Sequence, residues 1–105
     1  MHARIGTFEV EPLRLDQIVA LFRGPVFDDV SRHQGFLGYH SYVDRARGRM
    51  VGISLWESLS DLQASSEAAR QARERAVALG ATVIGEPQIM ELAFDARANP
   101  GSARQ

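Results

Sequence analysis

Residues Arg49 to Trp56 (RMVGISLW) constrain this chain more than any other stretch. Successive side chains of a strand point to opposite faces. Val51, Ile53 and Leu55 therefore share one face, and Met50, Gly52, Ser54 and Trp56 share the other. Both sets are largely apolar, so both faces call for burial. The chain has 105 residues, enough for one domain and one core. Its own helices can cover only one face of the sheet. Leaving the other wet costs about 1.5–3 kcal/mol per large side chain. A second copy packed on that face, giving a homodimer, is the expected solution.

The rest of the chain supplies the other elements. Ala3 to Val10 alternates and is rich in β-branched and aromatic residues, which predicts a strand ended by Glu11-Pro12. Leu15, Ile18, Val19, Phe22, Val26 and Val30 recur at helical spacing. Gly24-Pro25 interrupts that helix and predicts a kink or two short helices. Gly35 stops it, and Phe36 to Val43 reads as a strand. Asp44 to Gly48 is a hairpin loop leading to the Arg49–Trp56 return strand. Ser58 is an N-cap with Asp61 three residues on, opening a helix to about Leu79 with a weak spot at Ser65-Ser66. Gly80 stops it. Ala81 to Phe94 holds a final strand, interrupted near Gly85-Glu86-Pro87. The order βαββαβ predicts an α+β, ferredoxin-like domain over residues 1–95. Its antiparallel four-stranded sheet carries two helices on one face. Residues 96–105 are expected to form a flexible tail.

Composition removes several function classes. Cysteine is absent, so disulfides, thiolate metal sites and cysteine nucleophiles are excluded. Every basic residue is arginine, so no lysine Schiff base or lysine general base exists. A net charge of −1 gives no electrostatic footprint for nucleic acid or an anionic membrane. No apolar run approaches the ~18 residues of a membrane span, and no apolar signal region is visible, so the cytoplasm is the expected location. His2, His33 and His40 lack metal-ligand spacing, and no metal or other cofactor is expected.

Among the side chains that could carry chemistry, His40 is the natural base at neutral pH. Its face depends on the hairpin register. A five-residue loop, Asp44 to Gly48, sets His40 opposite Gly52 and on the face of Trp56. A four-residue loop, Arg45 to Gly48, puts Tyr39 there instead. A one-residue slip decides between them, and the five-residue loop is preferred. Arg70 and Arg73 share a helix face, with Glu67 and Glu74 available as partners.

Gly35-Phe36-Leu37-Gly38, the hairpin, and Trp56-Glu57-Ser58 leading into a helix resemble the antibiotic biosynthesis monooxygenase domain, over roughly Arg4 to Phe94. The resemblance implies a dimeric α+β barrel with a pocket in each monomer, between sheet and helices. It implies a cofactor-independent oxygenase acting on a phenolic or quinol-like, polyketide-type molecule, or a non-catalytic dimer of the same fold that binds an apolar or aromatic small molecule. Trp56 matches the tryptophan that lines the pocket in that family, and Arg73 lies near its helix arginine. Two positions depart from the oxygenase pattern: Gly52 stands where those members carry Asn, and Leu62 where they carry Tyr. The haem-degrading branch needs a later histidine and a first-strand Asn. Here no histidine follows His40 and Gly6 occupies the strand position, so haem turnover is not expected. The expected site has His40 and Arg73 as catalytic groups, with Trp56, Phe22, Phe8, Met50 and Tyr42 binding substrate.

Overall fold

The computed structural model describes residues 1–97. The expected tail, 96–105, falls almost wholly outside them. Strand β1 (His2–Glu9) leads through a short 3-10 turn (Pro12–Arg14) into helix α1 (Leu15–Leu21). A wide π-type turn (Phe22–Val26) joins α1 to α2 (Phe27–Val30). Pro25 has no N–H to give the preceding turn, and the Phe27 N–H reaches back to the Phe22 carbonyl. The interruption expected at Gly24-Pro25 is therefore a bulge within one bent helix. It keeps Phe22 and Val26 on the buried side.

Strands β2 (Phe36–Asp44) and β3 (Arg49–Trp56) form the hairpin. Ser58 caps helix α3 (Leu59–Ala64), its hydroxyl accepting from the Asp61 N–H at 3.1 Å as expected. The second helix breaks at Ser65, and α4 (Ser66–Ala78) follows. Arg4, 61 residues earlier on β1, secures that break. Its guanidinium donates to the Leu62 carbonyl at 2.8 Å and to Ser65 Oγ at 3.0 Å, adding to the bonds that the Ser65 N–H and hydroxyl already give that carbonyl. The last strand is split, as Gly85-Glu86-Pro87 implied, into β4 (Thr82–Val83) and β5 (Gln88–Glu91). Both pair with β1, and the sheet order is β2-β3-β1-β4 with β5 also beside β1. The α+β ferredoxin-like architecture is the observed one.

The hairpin register corrects the preferred reading. Asp44 pairs with Arg49, leaving the four-residue loop Arg45 to Gly48. Gly48 has φ +66°, and a β-carbon there would overlap the Val10 carbonyl oxygen, so glycine is required at this turn. A bulge between Phe36 and Gly38 shifts the face pattern of β2. Phe36 pairs with Trp56 and Tyr39 with Ser54, whereas His40 pairs with Ile53 and Tyr42 with Val51. Tyr39 thus lies on the helix side of the sheet, and His40 and Tyr42 on the outer side.

The core lies between the helices and the inner sheet face. Phe8, Met50 and Trp56 meet Leu15, Ile18, Leu62 and Ala76 there. On the outer face Ile5, Val51, Ile53 and Leu55 stay partly exposed, and Tyr42 is 60% exposed.

Candidate functional site

A small cavity of about 60 Å³ opens between the inner sheet face and the helices. Phe8, Gly6 and Arg4 line it from β1, Gly52 and Ser54 from β3, and Tyr39 from β2. The bent helix contributes Phe22, Val26 and Val30, and α4 contributes Ala69, Ala72 and Arg73. Its aromatic wall is ordered. The Phe22 and Tyr39 rings stack with centroids 6.0 Å apart, and Phe8 tilts onto Phe22 at 5.4 Å. A groove of about 330 Å³ lies outside, lined by Ser66, Glu86 and Ile89. Arg4, Arg73 and Pro87 line both spaces and so form the neck between them.

Tyr39, partly buried, brings a hydroxyl to the cavity beside Ser54 and the two arginines. Its hydroxyl has no hydrogen-bond partner in the protein among the described residues, and it lies over Gly52, where any β-carbon would collide with it. Burial pushes the phenol above its ordinary pKa. The hydroxyl therefore stays protonated at neutral pH and acts as a hydrogen-bond donor, not a base. Ser54 Oγ accepts from Trp56 Nε1 at 2.9 Å. Burial, together with the Arg73 charge, presses the Arg4 guanidinium below its usual range.

The expected site residues divide into three groups. Phe8, Phe22 and Arg73 line the cavity together. Trp56 and Met50 are fully buried but do not border the cavity; Trp56 packs edge-on against Phe36 at 5.4 Å and belongs to the core. His40 and Tyr42 are corrected by the register. They neighbour each other on the outer face, ring centroids 5.4 Å apart. His40 borders a neighbouring groove at the β2 edge with Val19, Arg23 and Phe27, on the far side of the Phe22 and Tyr39 rings, which line both spaces. No cavity-lining side chain can accept a proton at neutral pH. Arg4 was not singled out from sequence, although an arginine on a strand otherwise lacking charge until Glu9 is a visible signal. Tyr39 was visible only as the alternative register.

Among the described residues, no group of three or more His, Asp or Glu is placed to hold a metal ion. No helix there is long and apolar enough to cross a membrane.

No protein-family model matches the chain. In sequence it is similar to two Mycobacterium tuberculosis proteins. Uncharacterized protein Rv2558 is 36% identical over 76 residues, which is 72% of this chain and 32% of that protein. Uncharacterized protein Rv2557 is 27% identical over 104 residues, 97% of this chain and 46% of that protein. The chain thus spans a third to a half of the length of these curated relatives. In structure it is similar to a monooxygenase from the gene ActVA-Orf6 of Streptomyces coelicolor, solved with nanaomycin D. That match has a TM-score of 0.67 at 22% identity, over 94% of this chain and 91% of that one. SnoaB, a cofactor-independent oxygenase from Streptomyces nogalater, matches with a TM-score of 0.63 at 17% identity, over 90% and 94% of the two chains. These likenesses span most of the chain and establish its architecture: it has the fold of the antibiotic biosynthesis monooxygenases.

Proposed function

We propose that the chain is a cofactor-independent monooxygenase of the antibiotic biosynthesis type, acting on a phenolic or quinol-like small molecule. The observation that carries this reading is the unpartnered Tyr39 hydroxyl inside an aromatic cavity whose neck holds Arg73 and Arg4. Donors fixed in a dry site stabilise a developing oxyanion far better than water does. An anthrone or quinol entering through the neck would lose its proton more readily beside two guanidinium charges. With no base in the cavity, that proton passes to water in the outer groove. The electron-rich anion then reduces dioxygen. For an anthrone, one oxygen atom enters the ring to give the quinone and the other leaves as water. Tyr39 would hydrogen-bond the substrate oxygen, Arg73 would supply positive potential, and Phe8 and Phe22 would hold the ring. The fold's likeness to two oxygenases supports the same reading.

The direct test is oxygen uptake by the purified protein with an anthrone, followed by Tyr39→Phe. We expect uptake by wild type and a loss of about a hundredfold in kcat/KM for the variant, the low end of what one oxyanion-type donor contributes. No uptake across several anthrones and quinols would overturn the oxygenase reading. The second reading is a non-catalytic binding protein. The cavity size favours it: about 60 Å³ is smaller than the ~150 Å³ that takes a benzene ring, so a fused-ring substrate must displace Phe22 or Pro87 to enter. Binding of such a molecule without oxygen uptake would establish it.

We further propose that two copies pair through the outer sheet faces. The half-exposed Ile5, Val51, Ile53 and Leu55 support this, because they form one apolar surface that the chain's own helices do not cover. Ile53→Asp at the centre of that surface should convert a sedimenting dimer into a monomer. A wild-type protein that sediments as a monomer at micromolar concentration would remove the proposal.

A further inference from the structure

Among the described residues six of the eleven arginines lie within salt-bridge distance of a carboxylate. Arg70 is held by Glu67 and Glu74, and Arg75 reaches Asp29 at 3.3 Å. Among the described residues neither Arg4 nor Arg73 has a carboxylate within that distance. Arg23, Arg32 and Arg49 have no such partner either, but Arg4 and Arg73 alone among these line both the cavity and the outer groove. Arg4 donates only to neutral oxygens: Ser65 Oγ, the Leu62 carbonyl and, at 3.3 Å, Ser66 Oγ. A guanidinium has five N–H groups, so two remain for a ligand. Glu86 is the acidic side chain lining the outer groove, and it is not within salt-bridge distance of either guanidinium. Two like charges held close at the rim of an apolar cavity disfavour each other until an anion lies between them.

Building on the reading of the cavity as an aromatic small-molecule site, we infer that its ligand carries a carboxylate, held at the neck between Arg4 and Arg73. The ring system then points toward the wall of Phe8, Phe22 and Tyr39. Both guanidinium groups are partly buried, so their attraction for an anion is screened less than it would be on an open surface. A planar carboxylate also fits the N–H fork of an arginine. The remainder of a larger molecule lies in the outer groove.

The test is calorimetric titration of the full chain with 2-naphthoate and with its neutral isostere 2-naphthamide, at neutral pH and two salt concentrations. The acid should bind wild type about tenfold or more tightly than the amide, and the difference should shrink with salt. Arg73→Met and Arg4→Met should each weaken the acid far more than the amide and so remove most of that preference. Arg4 also ties α3 to β1, so its variant can lose the fold; Arg73 makes no such tie and decides the matter alone. Equal affinity for acid and amide, a preference that survives Arg73→Met, or folded protein that binds neither probe would overturn the inference. The outcome is separable from oxygen chemistry. Acid-selective binding with no oxygen uptake would keep the anion site and remove the oxygenase reading. Oxidation of neutral and carboxylated phenols with equal kcat/KM would do the reverse.

Discussion

Trp56→Ala should destabilise the protein by about 3–5 kcal/mol, the range for emptying a large aromatic from a packed core. Trp56 has no solvent exposure. Its loss leaves a void beside Phe36 and removes the hydrogen bond its indole N–H gives to Ser54 Oγ. A small domain has only about 5–15 kcal/mol of stability, so this variant should be partly unfolded under ordinary conditions. Trp56→Phe keeps most of the volume and should cost about 1–2 kcal/mol. Urea unfolding followed by circular dichroism measures both, because Trp56 is the sole tryptophan and cannot serve as its own probe. A cost below about 1 kcal/mol for the alanine variant, well under the range expected for a filled core, would place Trp56 at the cavity wall instead.

The second large effect concerns Gly52. Adding one methyl group there drives it into the Tyr39 hydroxyl. Gly52→Ala should therefore cost about 1–3 kcal/mol, as overpacking does, and should push the Tyr39 ring out of place. Tyr39→Phe removes the oxygen and leaves the nearest ring carbon 3.0 Å from the added methyl, a tight contact that small shifts relieve. In the double variant most of the lost stability should return, with a coupling energy of about 1 kcal/mol or more from the four-member cycle. Independent, additive effects would mean that Tyr39 does not lie over Gly52. That result would also remove the donor on which the oxygenase reading rests. The pairing gives a physical reason for glycine at position 52: the Tyr39 hydroxyl from the neighbouring strand fills the space a side chain there would take.

Local sequence was enough for the elements. Gly24-Pro25 forecast the bend, Ser58 the cap, Ser65 the break in the second helix and Gly85-Glu86-Pro87 the split last strand, because each signal acts over a few bonds. The alternation in β3 also forecast a sheet with apolar side chains on both faces, and hence the layering of the fold. The site was only partly legible. Phe8, Phe22 and Arg73 do line the cavity: Phe22 belongs to the helical apolar stripe, and Arg73 was singled out by the family resemblance. His40 and Tyr42 were misplaced by a single residue of register. Hydrophobic pattern fixes register only when one face is apolar and the other polar. Here both faces are apolar, so the pattern was indifferent, and the bulge after Phe36 and the packing of Tyr39 on Gly52 made the choice. Arg4 is the other case. Nothing near it in sequence says that its charge will end against Leu62 and Ser65, about sixty residues on, at the rim of a cavity. Periodicity and end signals are written in neighbouring residues. Which face turns inward, and which distant charges meet, is settled only when the whole sheet closes against its helices.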